Sequence, residues 1–261
     1  MEKYSFTLFG GDDRQRALCA LFRADGHDAH FFGSGEGGET DGVRVGVLPM
    51  PALEAPTEAL AEMTLCVGGR VAPALAETTR AQGIRLADYA LREDFARENA
   101  LTTAEAAIFV AMQHKTRILA GERALVIGCG RIGRRLARLA RAMGMRVTVS
   151  ARRTSDFSWI RACGCECMDT RALGALSDFD LIFNTVPAPV VGETQLAETR
   201  EDVLMIDLAS RPGGVDFESA KRLSRCAVHA LALPGLYAPQ TAARSAADSI
   251  YAIISEETHG R

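Results

Sequence analysis

Three glycines, Gly128, Gly130 and Gly133, stand in the spacing Gly-x-Gly-x-x-Gly between an apolar run and an amphipathic one. The chemistry of that spacing is anion binding. The first glycine permits a tight turn, the second lets the backbone approach a pyrophosphate, and the third lets the next helix lie close on the sheet, its N-terminus facing the anion. A glycine triplet alone is a weak signal. Here it is set in a strand, turn, helix and strand pattern (LVIGCGRIGRRLARLARAMGMRVTVSARR, residues 125–153), with Ile132, Leu136, Leu139, Ala140 and Met143 on one helix face. A dinucleotide site is expected, with Gly128, Gly130, Arg131, Ile132 and Gly133 against the phosphates.

The second strand of that pattern ends on Ser150 and Ala151, followed by Arg152 and Arg153. Sites for NAD carry an Asp or Glu at this strand end for the ribose 2′-hydroxyl. No acid is present, and two planar cations suit a 2′-phosphate, so Ser150, Arg152 and Arg153 are expected to select NADP. The competing reading is of solvated surface arginines, because only three of the 30 basic residues are lysine.

Further apolar runs end in loops that should surround the nicotinamide. Residues 180–183 lead into Asn184, Thr185, Val186 and Pro187, residues 203–208 into Ala209, Ser210, Arg211 and Pro212, and residues 227–231 into Leu233-Pro234-Gly235. Arg211 is the first choice as a clamp for a substrate carboxylate. Upstream, Thr102-Thr-Ala-Glu105 reads as a capping box opening a helix through Phe109, Met112 and Ile118 to Gly121. That helix would bridge two domains and offer Gln113, His114 and Lys115 to the cleft. His114 suits proton transfer; a solvated helix face is the alternative.

Cys163, Cys165 and Cys167, spaced by two, would project from one side of a strand. They lack a second cluster at ligand spacing, so strand packing is expected and no metal. The other cysteines of the seven are scattered, which argues against a disulfide framework.

The chain has 261 residues, 48% of them hydrophobic, and a net charge of −3, enough to bury cores for two modest α/β domains. The balance of charge disfavours a nucleic-acid or membrane-surface role. No segment approaches the roughly 20 uninterrupted apolar residues of a membrane span, and the opening residues show no long apolar run, so a cytoplasmic protein is the default expectation. Before residue 100 the strand, glycine turn and helix pattern recurs in degenerate form, with Asp12 and Asp13 where they would repel a pyrophosphate. The expected organisation is a doubly wound parallel sheet of Rossmann type with a second, smaller α/β domain. Residues 1–100 form that substrate or assembly domain, residues 101–120 a linking helix, residues 121–236 the NADP-binding domain, and helix 239–257 folds back onto the first domain. Residues 33–40 read as a glycine-rich loop.

The combination GCGRIG, VTVSARR, NTVP, IDLASRPGGVDF and LPGLYAPQTA, together with Gly10, Gly11, Asp12, Arg14 and Gln15 near the start, resembles the dipicolinate synthase family, in its A component. The resemblance implies a Rossmann NADP domain beside a flavodoxin-like N-terminal domain, and oxidation of a dihydrodipicolinate-type dicarboxylate to dipicolinic acid during sporulation. It also implies a partner, the flavoprotein-like B subunit of dipicolinate synthase. A homo-oligomer is expected as well. The chain departs from the family in being short between Pro49 and Val71, on the substrate side. Two alternatives stand beside it. The first is a D-2-hydroxyacid dehydrogenase, which shares the strand bearing Arg211 but wants a histidine where Gly235 stands. The second is a non-catalytic NADP-binding scaffold protein.

Overall fold

The computed structural model describes residues 3–35 and 42–259. Of the glycine-rich stretch 33–40, residues 36–40 lie outside the described residues. The chain divides into two compact units, residues 1–99 with 234–261, and residues 100–233.

The first unit opens with β1 (Tyr4–Leu8), α1 (Asp13–Ala24), β2 (Asp28–Phe31), β3 (Val43–Val47), α2 (Thr57–Ala61), β4 (Leu65–Gly68), α3 (Pro73–Ala81) and β5 (Leu86–Asp88). All five strands are parallel, in the order β2-β1-β3-β4-β5, which is the flavodoxin-like order. Strand β1 lies inside the sheet, and Phe6 and Leu8 are fully buried. Helix α1 begins where the Asp12 carboxylate accepts the Gln15 N–H at 2.8 Å.

Helix α4 spans Glu93–His114, beginning nine residues before the expected cap. Thr102 and Thr103 lie inside the helix and are buried, because Phe95, Ala100, Ala104, Ala107 and Ala111 continue one buried stripe through that point. The acids Glu93 and Asp94 in its first turn complement the helix dipole. The linking helix therefore stops at His114 rather than near residue 120, and Ile118, expected on its apolar face, is 79% exposed.

The second unit continues with β6 (Arg123–Ile127), α5 (Arg131–Ala142), β7 (Arg146–Ala151), α6 (Thr154–Ala162), β8 (Glu166–Asp169), β9 (Leu181–Asn184), α7 (Glu193–Ala197), β10 (Leu204–Asp207), α8 (Phe217–Arg222) and β11 (Cys226–His229). Its six parallel strands run β11-β10-β9-β6-β7-β8. Counted from β6, that is the order 6-5-4-1-2-3 of a doubly wound dinucleotide-binding sheet, with its direction of winding reversing between β6 and β9. Both of these strands are wholly or nearly wholly buried, as strands covered on two faces must be. Of the spaced cysteines only Cys167 lies on a strand. Cys163 ends α6 and Gly164, at φ +69°, turns the chain, so the three do not share one strand face.

The chain closes with α9 (Leu233–Tyr237) and α10 (Pro239–His259). In the first unit α10 buries Ala243, Ala246, Ala247, Ile250 and Ile254 in the same core as Leu18, Cys19 and Phe22 of α1. Phe6 and Phe22 stack there with centroids 3.8 Å apart, and Tyr251 meets both edge-on. No helix among the described residues is long and apolar enough to cross a membrane.

Candidate functional site

The carboxyl ends of β6 and β9 meet at the switch point of the second unit, and the glycine turn lies there. Gly128 has φ +101°, and its N–H donates to the Ser150 carbonyl at 3.0 Å. A Cβ at Gly128 would stand 2.6 Å from Thr185 Oγ1, and a Cβ at Gly133 would overlap the Gly128 carbonyl oxygen. Protein packing alone demands these two glycines. Gly130 differs: its φ is an ordinary −81°, and a Cβ there would meet nothing within 4 Å. The bare backbone at Gly130 leaves open space at the N-cap of α5, where the first N–H groups of any helix lack intrahelical partners. That cradle fits a pyrophosphate. Arg131 is exposed and Ile132 half-buried beside it.

Arg134, which the sequence pattern places on the wet face of the helix, fixes the turn from behind. Its Nε donates to the Cys129 carbonyl at 3.0 Å and its Nη2 to Asp156 at 2.8 Å, while its guanidinium lies 4.7 Å from the Trp159 ring centroid. Asp156 is buried and also accepts from Arg153 Nε at 3.1 Å. Burial opposes ionisation of this carboxyl, but the hydrogen bonds and charges of Arg153 and Arg134 hold it below the usual carboxylate range. The two arginines after β7 therefore differ. Arg153 is already engaged by a carboxylate, whereas Arg152 is exposed and has no ion pair among the described residues.

Ser150 is not presented to a ligand. It is fully buried, and its Oγ accepts from Thr170 Oγ1 at 2.9 Å. The side chain of this penultimate strand residue is spent on Thr170, and its carbonyl braces Gly128 instead.

Asn184 is likewise fully buried and organises its own loop. Its Nδ2 donates to the Val186 carbonyl at 3.0 Å and to Asp207 Oδ1 at 2.8 Å, and its Oδ1 accepts from Val186 N at 3.1 Å. With its amide spent in this way, Asn184 has no free polar atom for a cofactor. Thr185 donates through Oγ1 to the Ile127 carbonyl, Val186 is half-buried beside Gly128, and Pro187 is exposed.

Asp207, at the end of β10, is a residue that sequence reasoning missed. It is fully buried and accepts four hydrogen bonds: Asn184 Nδ2 and Ala209 N on Oδ1, and Gly214 N and Val215 N on Oδ2. These bonds shape the loop that carries Ser210 and Arg211. His229, at the end of β11, donates to the Ala209 carbonyl at 3.0 Å and stacks on Phe217, bracing the loop from its other side. Ser210 is half-buried, and its carbonyl accepts the Gly213 N–H. Arg211 is exposed with no partner among the described residues, a free cation on a fixed loop at the carboxyl edge of the sheet.

His114 is at the opposite edge. The next residue, Lys115, donates to the Asp180 carbonyl at 2.8 Å and pairs with Glu122 at 3.0 Å, both side chains being less than 10% exposed. Asp180 and Glu122 immediately precede β9 and β6, so this end of α4 lies at the amino edge of the sheet. A five-residue strand at ~3.3 Å per residue puts roughly 16 Å between that edge and the glycine turn. His114 is thus separated from the residues expected to surround a nicotinamide, and Lys115 is committed to a buried ion pair rather than to a ligand.

Comparison with known proteins extends this geometry. Residues 90–219 match the family model described as D-isomer specific 2-hydroxyacid dehydrogenase, NAD binding domain. The dipicolinate synthase A protein of Bacillus subtilis (strain 168) is 35% identical over 166 residues, an alignment that covers 63% of this chain and 56% of that relative. Two solved structures agree over nearly the whole chain. The dipicolinate synthase A protein from Bacillus halodurans superposes with a TM-score of 0.85 at 29% identity, covering 97% of this chain and 98% of the other. Its counterpart from Bacillus subtilis does so with a TM-score of 0.87 at 26% identity, covering 100% and 98%. The resemblance carried by the motifs holds, as does the α/β architecture, and the cofactor class is a nicotinamide dinucleotide.

Proposed function

We propose that this chain, similar to dipicolinate synthase A proteins along its length, is an NADP-dependent oxidoreductase that converts a dihydrodipicolinate-type dicarboxylate to dipicolinic acid. The observation that supports the reading best is the carboxyl edge of the second sheet, which presents an open glycine cradle and, on a braced loop, Arg211, a cation without a partner among the described residues. In this reading Gly128, Gly130, Arg131, Ile132 and Gly133 line the pyrophosphate, and Thr185, Val186, Pro187, Ala209 and Ser210 border the nicotinamide. When bound, the nicotinamide accepts a hydride.

Arg211 holds a substrate carboxylate in a charge-assisted hydrogen bond, its loop fixed by Asp207 and His229 so that little ordering accompanies binding. The substrate loses a hydride and a proton and gains an aromatic ring. That gain drives the reaction, so water can accept the proton, and the placement of His114 gives it no part. The chain's contribution is to orient a dianion whose ring is already disposed to react. A flavoprotein-like B subunit is the proposed partner, and sporulation the proposed setting.

The test is dipicolinate formation from freshly generated dihydrodipicolinate by the purified chain, with NADP⁺ or NAD⁺, with and without the B partner. Coupled appearance of dipicolinate and NADPH above the spontaneous background is expected. Tight nucleotide binding with no turnover under any pairing would favour the scaffold reading instead.

NADP selectivity is assigned mainly to Arg152. Arg152→Ala should weaken NADPH binding about tenfold, the order of one exposed charge-assisted hydrogen bond, and leave NADH binding unchanged. Arg153→Ala should do less, since Asp156 already holds that guanidinium. Equal losses for both nucleotides in a calorimetric titration would remove the 2′-phosphate assignment.

A further inference from the structure

The first unit has its own switch point, between β1 and β3, and in such sheets ligands bind outside the carboxyl ends of the strands at that place. Gly10 follows β1 and Pro49 follows β3. A Cβ on Gly10 would stand 3.5 Å from Pro49 Cβ and 3.9 Å from Gln15 Cγ, so Gln15 reaches this point from the first turn of α1.

Its neighbour Arg14 is 7% exposed and Gln15 is 3% exposed. Nε and Nη1 of Arg14 and Oε1 of Gln15 are buried without a hydrogen-bond partner among the described residues. A buried cation lacking a counter-ion, and at the next position of the helix a buried carbonyl lacking a donor, are costly groups for a fold to carry unused. The nearby acids are committed elsewhere. Asp12 caps α1 through the Gln15 N–H, and Asp88 accepts from the N–H groups of Arg70, Val71 and Ala90.

Tyr89 is the group within hydrogen-bond reach of the Arg14 guanidinium. Burial pushes its phenol up to about 12, against the opposing pull of Arg14, so the hydroxyl stays neutral. Gly235 leaves the backbone bare beside this guanidinium, where a Cβ would come to 3.6 Å from Arg14 Nη2.

We infer that Arg14 and Gln15 form a ligand site of the first unit for a carboxylate that bears an N–H or O–H donor on the adjacent atom. Arg14 supplies the cation for the carboxylate, and the Gln15 carbonyl accepts from the neighbouring donor. A phosphate is the poorer fit, because it would bring a double charge on one group to the helix end where Asp12 and Asp13 stand, whereas a carboxylate brings a single charge there. The inference deepens the proposed function by naming what selects the substrate class, and it rests on that reading only for the choice of probe.

The experiment titrates the full chain with piperidine-2,6-dicarboxylate, which carries both carboxylate and ring N–H, and separately with inorganic phosphate, by calorimetry without nucleotide. Binding of the dicarboxylate is expected to weaken at least thirtyfold in Arg14→Met and about fivefold in Gln15→Leu, with NADPH binding unchanged in both and phosphate binding far weaker throughout. If Arg14→Met does not fold, Arg14→Lys and Gln15→Leu carry the comparison. Unchanged affinity in the folded variants would overturn the inference, the buried atoms then being served by water. Phosphate binding as tightly as the dicarboxylate, or no binding by the wild type, would overturn it equally. Arg14-dependent binding without oxidation of dihydrodipicolinate would sink the oxidoreductase reading alone, whereas oxidation with Arg14-independent binding would sink this one alone.

Discussion

Gly130→Asp is expected to melt at or slightly above the wild-type temperature and to bind NADPH at least ~100-fold more weakly, a loss of about 2.7 kcal/mol. The two effects separate because this glycine answers to a ligand and not to the fold. Its backbone angles suit any residue, and a Cβ would enter open space. An aspartate there is a favourable N-cap for α5, so stability is kept. The same carboxylate would project into the cradle and repel a pyrophosphate. Gly133→Ala should behave in the opposite way. Its new Cβ would overlap the Gly128 carbonyl oxygen, a backbone atom that cannot swing aside, and would stand 3.3 Å from Thr185 Oγ1. Helix α5 would have to lift from the turn, at a cost of about 1–3 kcal/mol or more, and the melt should fall by several degrees together with nucleotide affinity. Paired thermal melts and NADPH fluorescence titrations check both variants. Gly130→Asp binding NADPH like the wild type would mean that the pyrophosphate does not pass over Gly130.

The contrast among these glycines also shows what a sequence can disclose. The spacing of Gly128, Gly130 and Gly133 repeats a mechanical requirement, so the turn, its strand and its helix were readable from residue types. The later strands were readable too, because buried parallel strands are short apolar runs that end in turn residues. Thr102-Thr-Ala-Glu105 misled for a physical reason: a capping pattern is a local preference, worth about 1 kcal/mol, and the burial of one face of a 22-residue helix outweighs it. Ser150 and Asn184 misled differently. Polar residues at strand ends suggest ligand contacts, but which way the last strand residue points depends on sheet register, which is set by neighbours far along the chain. Asp207 did leave a signal. An acid closing an otherwise apolar strand (Leu204-Met-Ile-Asp207), followed within seven residues by Gly213 and Gly214, marks a buried carboxylate that backbone N–H groups can approach closely.

Asp207→Asn tests that reading and should give the largest loss of any single-atom change in the second unit. The carboxylate meets four donors and offers none of its own. An amide in its place must turn an NH₂ toward either Asn184 Nδ2 and Ala209 N or Gly214 N and Val215 N, so two buried donors lose their acceptor in either orientation. At about 1–3 kcal/mol for each unsatisfied group, a destabilisation of roughly 2–6 kcal/mol is expected. The consequence for the proposed chemistry follows from the connectivity. Gly214 and Val215 anchor the far end of the loop bearing Arg211, and Asn184 shapes the loop after β9, so one substitution loosens both. The KM for the dicarboxylate should rise about tenfold or more, while NADPH binding at the glycine turn, which Asp207 does not touch, changes much less. The swap Asn184→Asp with Asp207→Asn separates the contributions: the new amide NH₂ meets the new carboxylate and its oxygen still accepts from Gly214 N and Val215 N, while Ala209 N loses its acceptor and the Val186 carbonyl its donor. Partial recovery of the melt with recovery of KM is the expected result. A KM that stays high would show that the Gly214 and Val215 bonds do not position Arg211.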